Sequence, residues 1–193
     1  VALCTTVIGI MLASTTAYAV SRFSFAGKKP VLFAFLVAQM FPGAILIVPL
    51  YNIMKDLALL NTFTGLVIAY STLSLPFSVW MLKGFFDAIP VSLEEAAMID
   101  GCNNWQIFWR IAFPLAAPGI AVTALFCFIF SWNEFVFALV LSRKEVIPIT
   151  VSLTGGLSRP TADLALASIL PIFIFSVILN KYLVRGLTLG AIK

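Results

Sequence analysis

Five apolar segments, each close to the length that crosses a bilayer, constrain this chain more than any other feature. The residues are 62% hydrophobic and only 10% charged, which is more apolar surface than a soluble domain of 193 residues could bury. A membrane-spanning helix needs about 20 apolar residues at a rise of about 1.5 Å each. The pattern therefore predicts an all-α, polytopic transmembrane helix bundle that forms one domain over residues 1–193. The predicted spans are Val1–Val20, Val31–Met54, Phe63–Leu82, Gly119–Leu141 and Ala162–Val184.

Lysine and arginine residues are unevenly divided between the two sets of connections that alternate along these spans. Because basic residues accumulate on the cytoplasmic side of a membrane, the richer set and the C-terminus are predicted to be cytoplasmic. The richer set contains Arg22, Lys28, Lys29, Lys83, Arg110, Lys181, Arg185 and Lys193, and the poorer set contains Lys55, Arg143, Lys144 and Arg159.

This orientation places the first residue outside the cell. A chain that starts in the cytoplasm then needs at least one more span upstream, and the sequence does not begin with Met. We therefore expect it to be a fragment. The first apolar segment has no preceding basic region, so it is not predicted to be a signal peptide.

The composition excludes several kinds of chemistry. The chain has no histidine, which excludes His-based metal ligation and His acid–base catalysis. It has no G-x-x-x-x-G-K-[ST] phosphate loop, so any ATP must be bound by another subunit. No basic stripe with interleaved aromatics indicates nucleic-acid binding. No cofactor is predicted, and Cys4, Cys102 and Cys127 imply no disulfide framework.

The longest polar passage between two spans, residues 87–114 (the polar loop), predicts two short helices rather than a slack linker. Ser92 followed by Glu95 has the spacing of a capping box, with Ser92 at the N-cap. Gly101 lies where a C′ glycine would end that helix.

A second helix in the polar loop is predicted to begin after Asn103 or Asn104, either of which can cap it. Pro114 is predicted to stop it. Two capped helices are more than a connection between spans requires. We expect this loop to dock onto something rather than only to connect two spans.

The fourth predicted span contains a carboxylate, Glu134. A charge near the membrane centre costs about 2.5–3.5 kcal/mol, whereas the span's Leu, Ile, Val and Phe residues together contribute about 4–8 kcal/mol. Insertion therefore wins, but Glu134 must face the bundle interior or water. Glu134 either lines a translocation path or is a snorkelling or helix-bonded residue near the outer interface. Trp132 fits either a path or an interfacial aromatic.

Prolines interrupt three of the predicted spans. Each removes a backbone hydrogen bond, so Pro42, Pro49, Pro76 and Pro171 predict kinked helices. Bent helices that carry hydroxyl side chains suit a protein that encloses a pathway, although they are also common in membrane proteins generally.

The polar loop also contains Glu-Ala-Ala, then Gly after three residues, then Ile-x-x-Pro after nine more. This spacing resembles the EAA signature of ABC importer permeases, from which it departs only at Phe113, where Leu is usual. In that family the loop is a cytoplasmic coupling helix that sits in a cleft of the ATPase. The resemblance assigns ATPase coupling to Glu95, Ala96, Ala97, Asp100, Gly101, Ile111 and Pro114.

Further motifs are spread along nearly the whole chain. They are Tyr18-Ala19, Arg22-Phe23, Leu60-Asn61-Thr62, Pro76-Phe77, Trp80, Gly84-Phe85-Phe86, Trp132-Asn133-Glu134-Phe135 and Leu183-Val184-Arg185-Gly186-Leu187-Thr188. These motifs are similar to the carbohydrate branch of the family, of the maltose-type G permease kind. The resemblance implies six spans in a complete subunit of a bacterial plasma membrane. It also implies a dimer of ATP-binding subunits, a second permease subunit and an extracytoplasmic solute-binding protein as partners.

The sequence therefore predicts a permease subunit of an ATP-driven importer for sugars or sugar-like solutes, with Trp132, Asn133 and Glu134 along its translocation path. A permease for another class of small solute is one alternative. Another is a secondary transporter driven by an ion gradient through Glu134, which would have no evident need for the polar loop. A membrane-embedded enzyme is disfavoured, because no nucleophile and base are clustered in the sequence.

Overall fold

The computed structural model describes residues 1–142, 146–153, 166 and 168–177, and these residues contain helices and no β-strand. The predicted all-α membrane bundle is confirmed. The helices are α1 (Ala2–Arg22), α2 (Lys28–Met40), α3 (Gly43–Asp56), α4 (Phe63–Asp87), α5 (Val91–Ile99), α6 (Asn104–Ile107), a π-helical turn (Phe108–Ala112), α7 (Phe113–Leu115), α8 (Ala117–Asn133), α9 (Val136–Leu141), α10 (Ile149–Leu153) and α11 (Ser168–Val177).

Among the described residues, two helices, α1 and α4, are each long and apolar enough to cross a membrane alone. Two bent pairs raise the number of candidate spans to four if each pair crosses once: α2 with α3, and the α6–α7 stretch with α8. Of the fifth predicted span, Ala162–Val184, the structure describes residues 166 and 168–177. This described part contains α11, which includes Pro171.

The second predicted span is broken rather than kinked, which corrects the expectation of one continuous helix. The helix axis bends by 107° between its two halves, α2 and α3. The residue before a proline is pushed out of the helical region, and Phe41 accordingly has φ −72° and ψ 128° ahead of Pro42. Pro49 and Pro76 remain inside α3 and α4.

The fourth predicted span is also interrupted, so the single helix expected over Gly119–Leu141 is wrong. Helix α8 ends at Asn133, and Glu134 has an extended backbone with φ −68° and ψ 120°. The Glu134 side chain explains the break, because its Oε1 accepts a hydrogen bond from the Phe137 N–H at 3.1 Å. A polar side chain that bonds nearby backbone competes with a continuous helical ladder.

Helices α1 and α4 pack side by side and run in the same direction. At one end Ser21 of α1 donates a hydrogen bond to Asp87 of α4 at 2.6 Å. At the other end Ala2 of α1 and Tyr70 of α4 line the same cavity. The buried small residues of α1, spaced four apart, allow this close packing. They are Gly9, Ala13 and Ala17.

Helix α8 returns in the opposite direction. Its first turn contacts the far end of α4, where Gly119 lies against the ring of Phe85. Its last turn reaches the beginning of α4, where Ser131 and Tyr70 line one cavity. The bundle therefore has two distinct ends, one carrying the polar loop and the other carrying the α8–α9 break.

Each end of the bundle has its own apolar cluster. The cluster beside the polar loop joins α1 and α4 to the π turn, and its largest members are Tyr18, Leu82, Phe86 and Phe108. The cluster at the opposite end joins α3, α4 and α9, and its largest members are Met54, Leu66, Tyr70 and Phe137.

Candidate functional site: a polar loop at one end and a cavity at the other

The first helix of the polar loop begins two residues earlier than the sequence predicts. Helix α5 starts at Val91, its N-cap is Pro90, and no side chain caps it. The predicted capping box of Ser92 with Glu95 is therefore wrong, since Ser92 lies inside the first turn and both side chains are exposed. Proline's fixed φ, here −60°, starts the helix without a side-chain cap.

The predicted end of this helix is confirmed. Gly101 has a φ of +86°, a left-handed backbone conformation that residues with a Cβ rarely adopt. The Cys102 N–H donates to the Ala97 carbonyl at 2.9 Å, and the Gly101 N–H donates to the Met98 carbonyl at 3.0 Å. These two bonds form a Schellman motif, which satisfies the last carbonyls of α5.

Asn103 caps the second helix, which resolves the choice that the sequence left open. Its side chain accepts from the Gln106 N–H at 2.9 Å, and the Gln106 side chain accepts from the Asn103 N–H at 2.9 Å. The helical path continues through the π turn to Leu115, one residue past Pro114, before the chain bends by 76°.

The predicted coupling residues divide between the surface and the interior. Glu95, Ala96, Asp100, Gly101 and Pro114 are exposed. The other two lie inward, and they are the buried Ala97 and the half-buried Ile111.

Large apolar side chains accompany the exposed predicted residues on the polar loop. Ile99 is 88% exposed, and Leu93, Met98 and Trp105 are also exposed. An exposed apolar group within a polar segment is typical of a protein-docking surface.

Glu94, which the sequence analysis did not select, is the buried carboxylate of the polar loop at 2% exposure. Arg22 Nε donates to its Oε1 at 2.7 Å, and the Tyr18 hydroxyl donates to its Oε2 at 2.9 Å. The available signal was the three-residue spacing from Glu94 to Ala97, which places both on the buried face of α5.

A cavity of about 200 Å³ lies at the opposite end of the bundle, beside the α8–α9 break. The Ser131 hydroxyl there is buried and has no hydrogen-bond partner in the part of the chain that the structure describes. The lining residues are Tyr70, Leu73, Ser74, Phe130, Ser131 and Glu134. Tyr70 and Ser74 were not predicted as site residues, because they come from α4, some 60 residues away in sequence.

The three residues predicted for the translocation path do not share one cavity. Glu134 lines the cavity described above, and Asn133 is exposed and lines neither that cavity nor its neighbour. Trp132 lines the neighbouring cavity of about 290 Å³ and donates its Nε1–H to the Ser168 carbonyl at 3.0 Å. Tyr70 and Ser131 line both cavities, so they connect Glu134 to Trp132.

The polar loop and the cavity are separated by most of the bundle. Tyr70 and Asp87 mark the two positions on α4, and 17 residues of helix rise about 25 Å.

The chain matches a known protein family over nearly its whole length. The family described as "Binding-protein-dependent transport system inner membrane component" matches residues 6–189. The chain belongs to this family. Its members are inner membrane components of transport systems, which agrees with the apolar helices described above.

Individual relatives within the permease family match over nearly the whole chain. The trehalose transport system permease protein SugB of Mycobacterium tuberculosis is 39% identical, over 100% of this chain and 74% of its own length. The diacetylchitobiose uptake system permease protein DasC of Streptomyces coelicolor is 34% identical, over 100% of this chain and 72% of its own length. The trehalose/maltose transport system permease protein MalG of Thermococcus litoralis is 36% identical, over 95% of this chain and 69% of its own length.

Proposed function

We propose that this chain is the membrane permease subunit of an ATP-driven importer for sugars or sugar-like solutes. The observation that carries the proposal is the match, over 95–100% of this chain, to permeases named for trehalose, diacetylchitobiose and maltose transport. The chain itself is not an enzyme in this proposal. ATP is hydrolysed by a dimer of partner subunits, since the sequence has no phosphate-binding loop.

The polar loop docks onto the ATP-binding subunits in this proposal. Its surface combines acidic side chains, Glu95 and Asp100, with exposed apolar ones, of which Ile99 is the most exposed. Ala96 is exposed and small enough for close backbone approach. Ala97 supports the helix from its buried side. The loop and the C-terminus are then cytoplasmic in a bacterial plasma membrane, as the excess of basic residues on that side favours.

The cavity beside the α8–α9 break is part of the solute path in this proposal. The hydroxyls of Ser74, Ser131 and Tyr70 and the carboxylate of Glu134 offer hydrogen bonds to solute hydroxyls. Phe130 adds an aromatic surface. A second permease subunit completes the path, and an extracytoplasmic solute-binding protein delivers the solute to this end of the bundle.

Uptake by the complete transporter tests the proposal. The permease, its partner permease and the ATPase subunits are reconstituted in vesicles with the cognate binding protein, and labelled trehalose and maltose are offered. We expect uptake only with ATP, and no change when ionophores dissipate ion gradients. Uptake without ATP that ionophores abolish would instead show an ion-coupled carrier. A matched complex with an inactivated ATPase subunit gives the background.

A further inference from the structure

A buried ionic contact joins the polar loop to the end of α1. The Arg22 and Glu94 side chains are 10% and 3% exposed, and Arg22 Nε lies 2.7 Å from Glu94 Oε1. The second carboxylate oxygen accepts the Tyr18 hydroxyl at 2.9 Å. Arg22 Nη2 also donates to the Ile89 carbonyl at 2.9 Å, in the connection between α4 and α5. One guanidinium therefore holds both the helix of the loop and the segment that leads into it.

Such a contact is poorly explained by stability alone. Burying two charges is costly, and a well-packed apolar pair of similar volume is often as stable. The guanidinium differs from an apolar pair in direction, because its planar fork fixes the angle and distance of both acceptors. The contact thus defines the position of α5 relative to α1, in addition to holding the two together.

The surroundings of the contact extend this connection into the bundle. The Tyr18 ring packs against Phe86 of α4 with centroids 5.6 Å apart, and against Phe108 of the π turn at 5.1 Å. A displacement of α5 therefore acts on α1 through Glu94 and on α4 through Tyr18. Close-packed interiors transmit such displacements rather than absorbing them.

A second ion pair at the same end provides a contrast. Lys83 pairs with Asp87 four residues later on the same helix, and both side chains are more exposed than those of Arg22 and Glu94. The pair is linked to α1 by the hydrogen bond that the Ser21 hydroxyl donates to Asp87. Neither residue of this pair makes a hydrogen bond or ion pair with α5 among the described residues. Because Ser21 also accepts a hydrogen bond from Arg22 Nη1 at 3.1 Å, Lys83 alone serves as the control.

We propose that Arg22, Glu94 and Tyr18 are positioning residues that convert movement of the docked polar loop into movement of α1 and α4. The proposal rests on the proposed function, in which the loop docks onto an ATPase. It assigns a role to residues outside the EAA positions. Glu95 faces the partner, and Glu94, its neighbour in sequence, faces the bundle and passes the movement on.

The test compares variants of the complete transporter in vesicles, with complex yield, ATP hydrolysis and solute uptake measured together. The double variant Arg22→Met with Glu94→Met removes both charges and leaves no buried charge unpaired, so we expect normal yield. We expect its solute transported per ATP to fall about tenfold, a size typical of coupling between sites. Arg22→Lys keeps the charge without the planar fork. Its solute transported per ATP should lie between that of the wild type and that of the double variant. The control, Lys83→Gln, removes a charge of α4 outside the polar loop and keeps the bond from Ser21 to Asp87, so it should transport as the wild type does.

Two results would overturn the proposal. One is a double-methionine variant with wild-type yield and wild-type transport per ATP, since an apolar pair would then serve as well. The other is a variant whose yield and uptake fall in equal proportion while the solute transported per ATP stays unchanged. A purely structural contact would behave in this way. Both results require a wild-type complex that transports with ATP. Failure of the wild type to do so would overturn the proposed function, and this proposal with it.

Discussion

Gly101 is the residue of the polar loop whose backbone admits the fewest substitutes. Its φ is +86°, yet a Cβ built there meets no atom within 4 Å. The constraint therefore comes from the backbone conformation alone and not from crowding. The reversal at Gly101 sets the angle between α5 and the helix that Asn103 caps, and so shapes the surface that we propose docks onto the ATPase.

We expect Gly101→Val to abolish most ATP-driven uptake while the permease still inserts. A β-branched residue at positive φ is strained, so the loop helices should lose their relative angle. Gly101→Asn should be milder, because Asn tolerates this conformation. Uptake and co-purification of the ATPase subunits measure the effect. Gly84→Ala is the control, since Gly84 is exposed and without a positive φ. Normal uptake by Gly101→Val would contradict the assigned role.

The Glu134 carboxylate lines the cavity and bonds the backbone of α9. Glu134→Gln retains an oxygen for the Phe137 N–H and for a solute hydroxyl, so part of the uptake should remain. Glu134→Leu can make neither bond and should lose most of it. An ion-coupled carrier that titrates Glu134 would be damaged as much by Gln as by Leu. Asp56→Asn removes an exposed carboxylate at the same end of the bundle and should transport normally.

At the scale of helices, close approach between α4 and α8 depends on Gly119. A Cβ at this position would lie 2.1 Å from Cγ of Phe85, near the base of the ring, where a small rotation gives little relief. Gly9 of α1 differs, since a Cβ there would lie 3.4 Å from the Cys127 sulfur, which is ordinary contact.

Gly119→Ala should therefore lower the thermal stability of the purified subunit, whereas Gly9→Ala should change it little. Overpacking of this kind costs about 1–3 kcal/mol. Thermal unfolding in detergent, followed by circular dichroism, measures the difference between the two variants. Equal midpoints would mean that α8 shifts away from α4 without loss, and the packing described here would not limit stability.

At the scale of the whole molecule, the parallel course of α1 and α4 gives the bundle two chemically different ends. The polar loop lies at the end reached by Arg22 and Asp87. The cavity lies at the end where α3 terminates and α9 begins. An importer that takes solute from one side and ATPase movement from the other requires such an arrangement, and the two ends must face opposite sides of the membrane.

Cysteine labelling tests which side each end faces. In a Cys4→Ser background, Asp56→Cys places a thiol at the end of α3, and native Cys102 marks the polar loop. A membrane-impermeant maleimide applied to intact cells should label position 56 and leave Cys102 unmodified. Permeabilised cells should then show labelling of Cys102, which proves that it is reactive. Labelling of Cys102 in intact cells would reverse the orientation and remove the docking proposal.

The sequence alone determined the features that depend on near neighbours along the chain. Runs of about 20 apolar residues dictate membrane helices, because length and hydrophobicity are local properties. Gly101 and a cap at Asn103 or Asn104 were predicted for the same reason, since each acts through backbone groups within a few residues. The capping box at Ser92 failed because Pro90, two residues earlier, starts the helix first.

Which polar groups meet depends on how distant helices pack. Glu94 and Glu95 are equivalent by composition, and the packing of α1 against α5 buries one and leaves the other exposed. The cavity unites Tyr70 and Ser74 with Glu134 across about 60 residues of sequence, and the break in α8 places the Glu134 carboxylate at its edge. Such contacts arise from the packing of helices that are distant in sequence, so a pattern of neighbouring residues does not predict them.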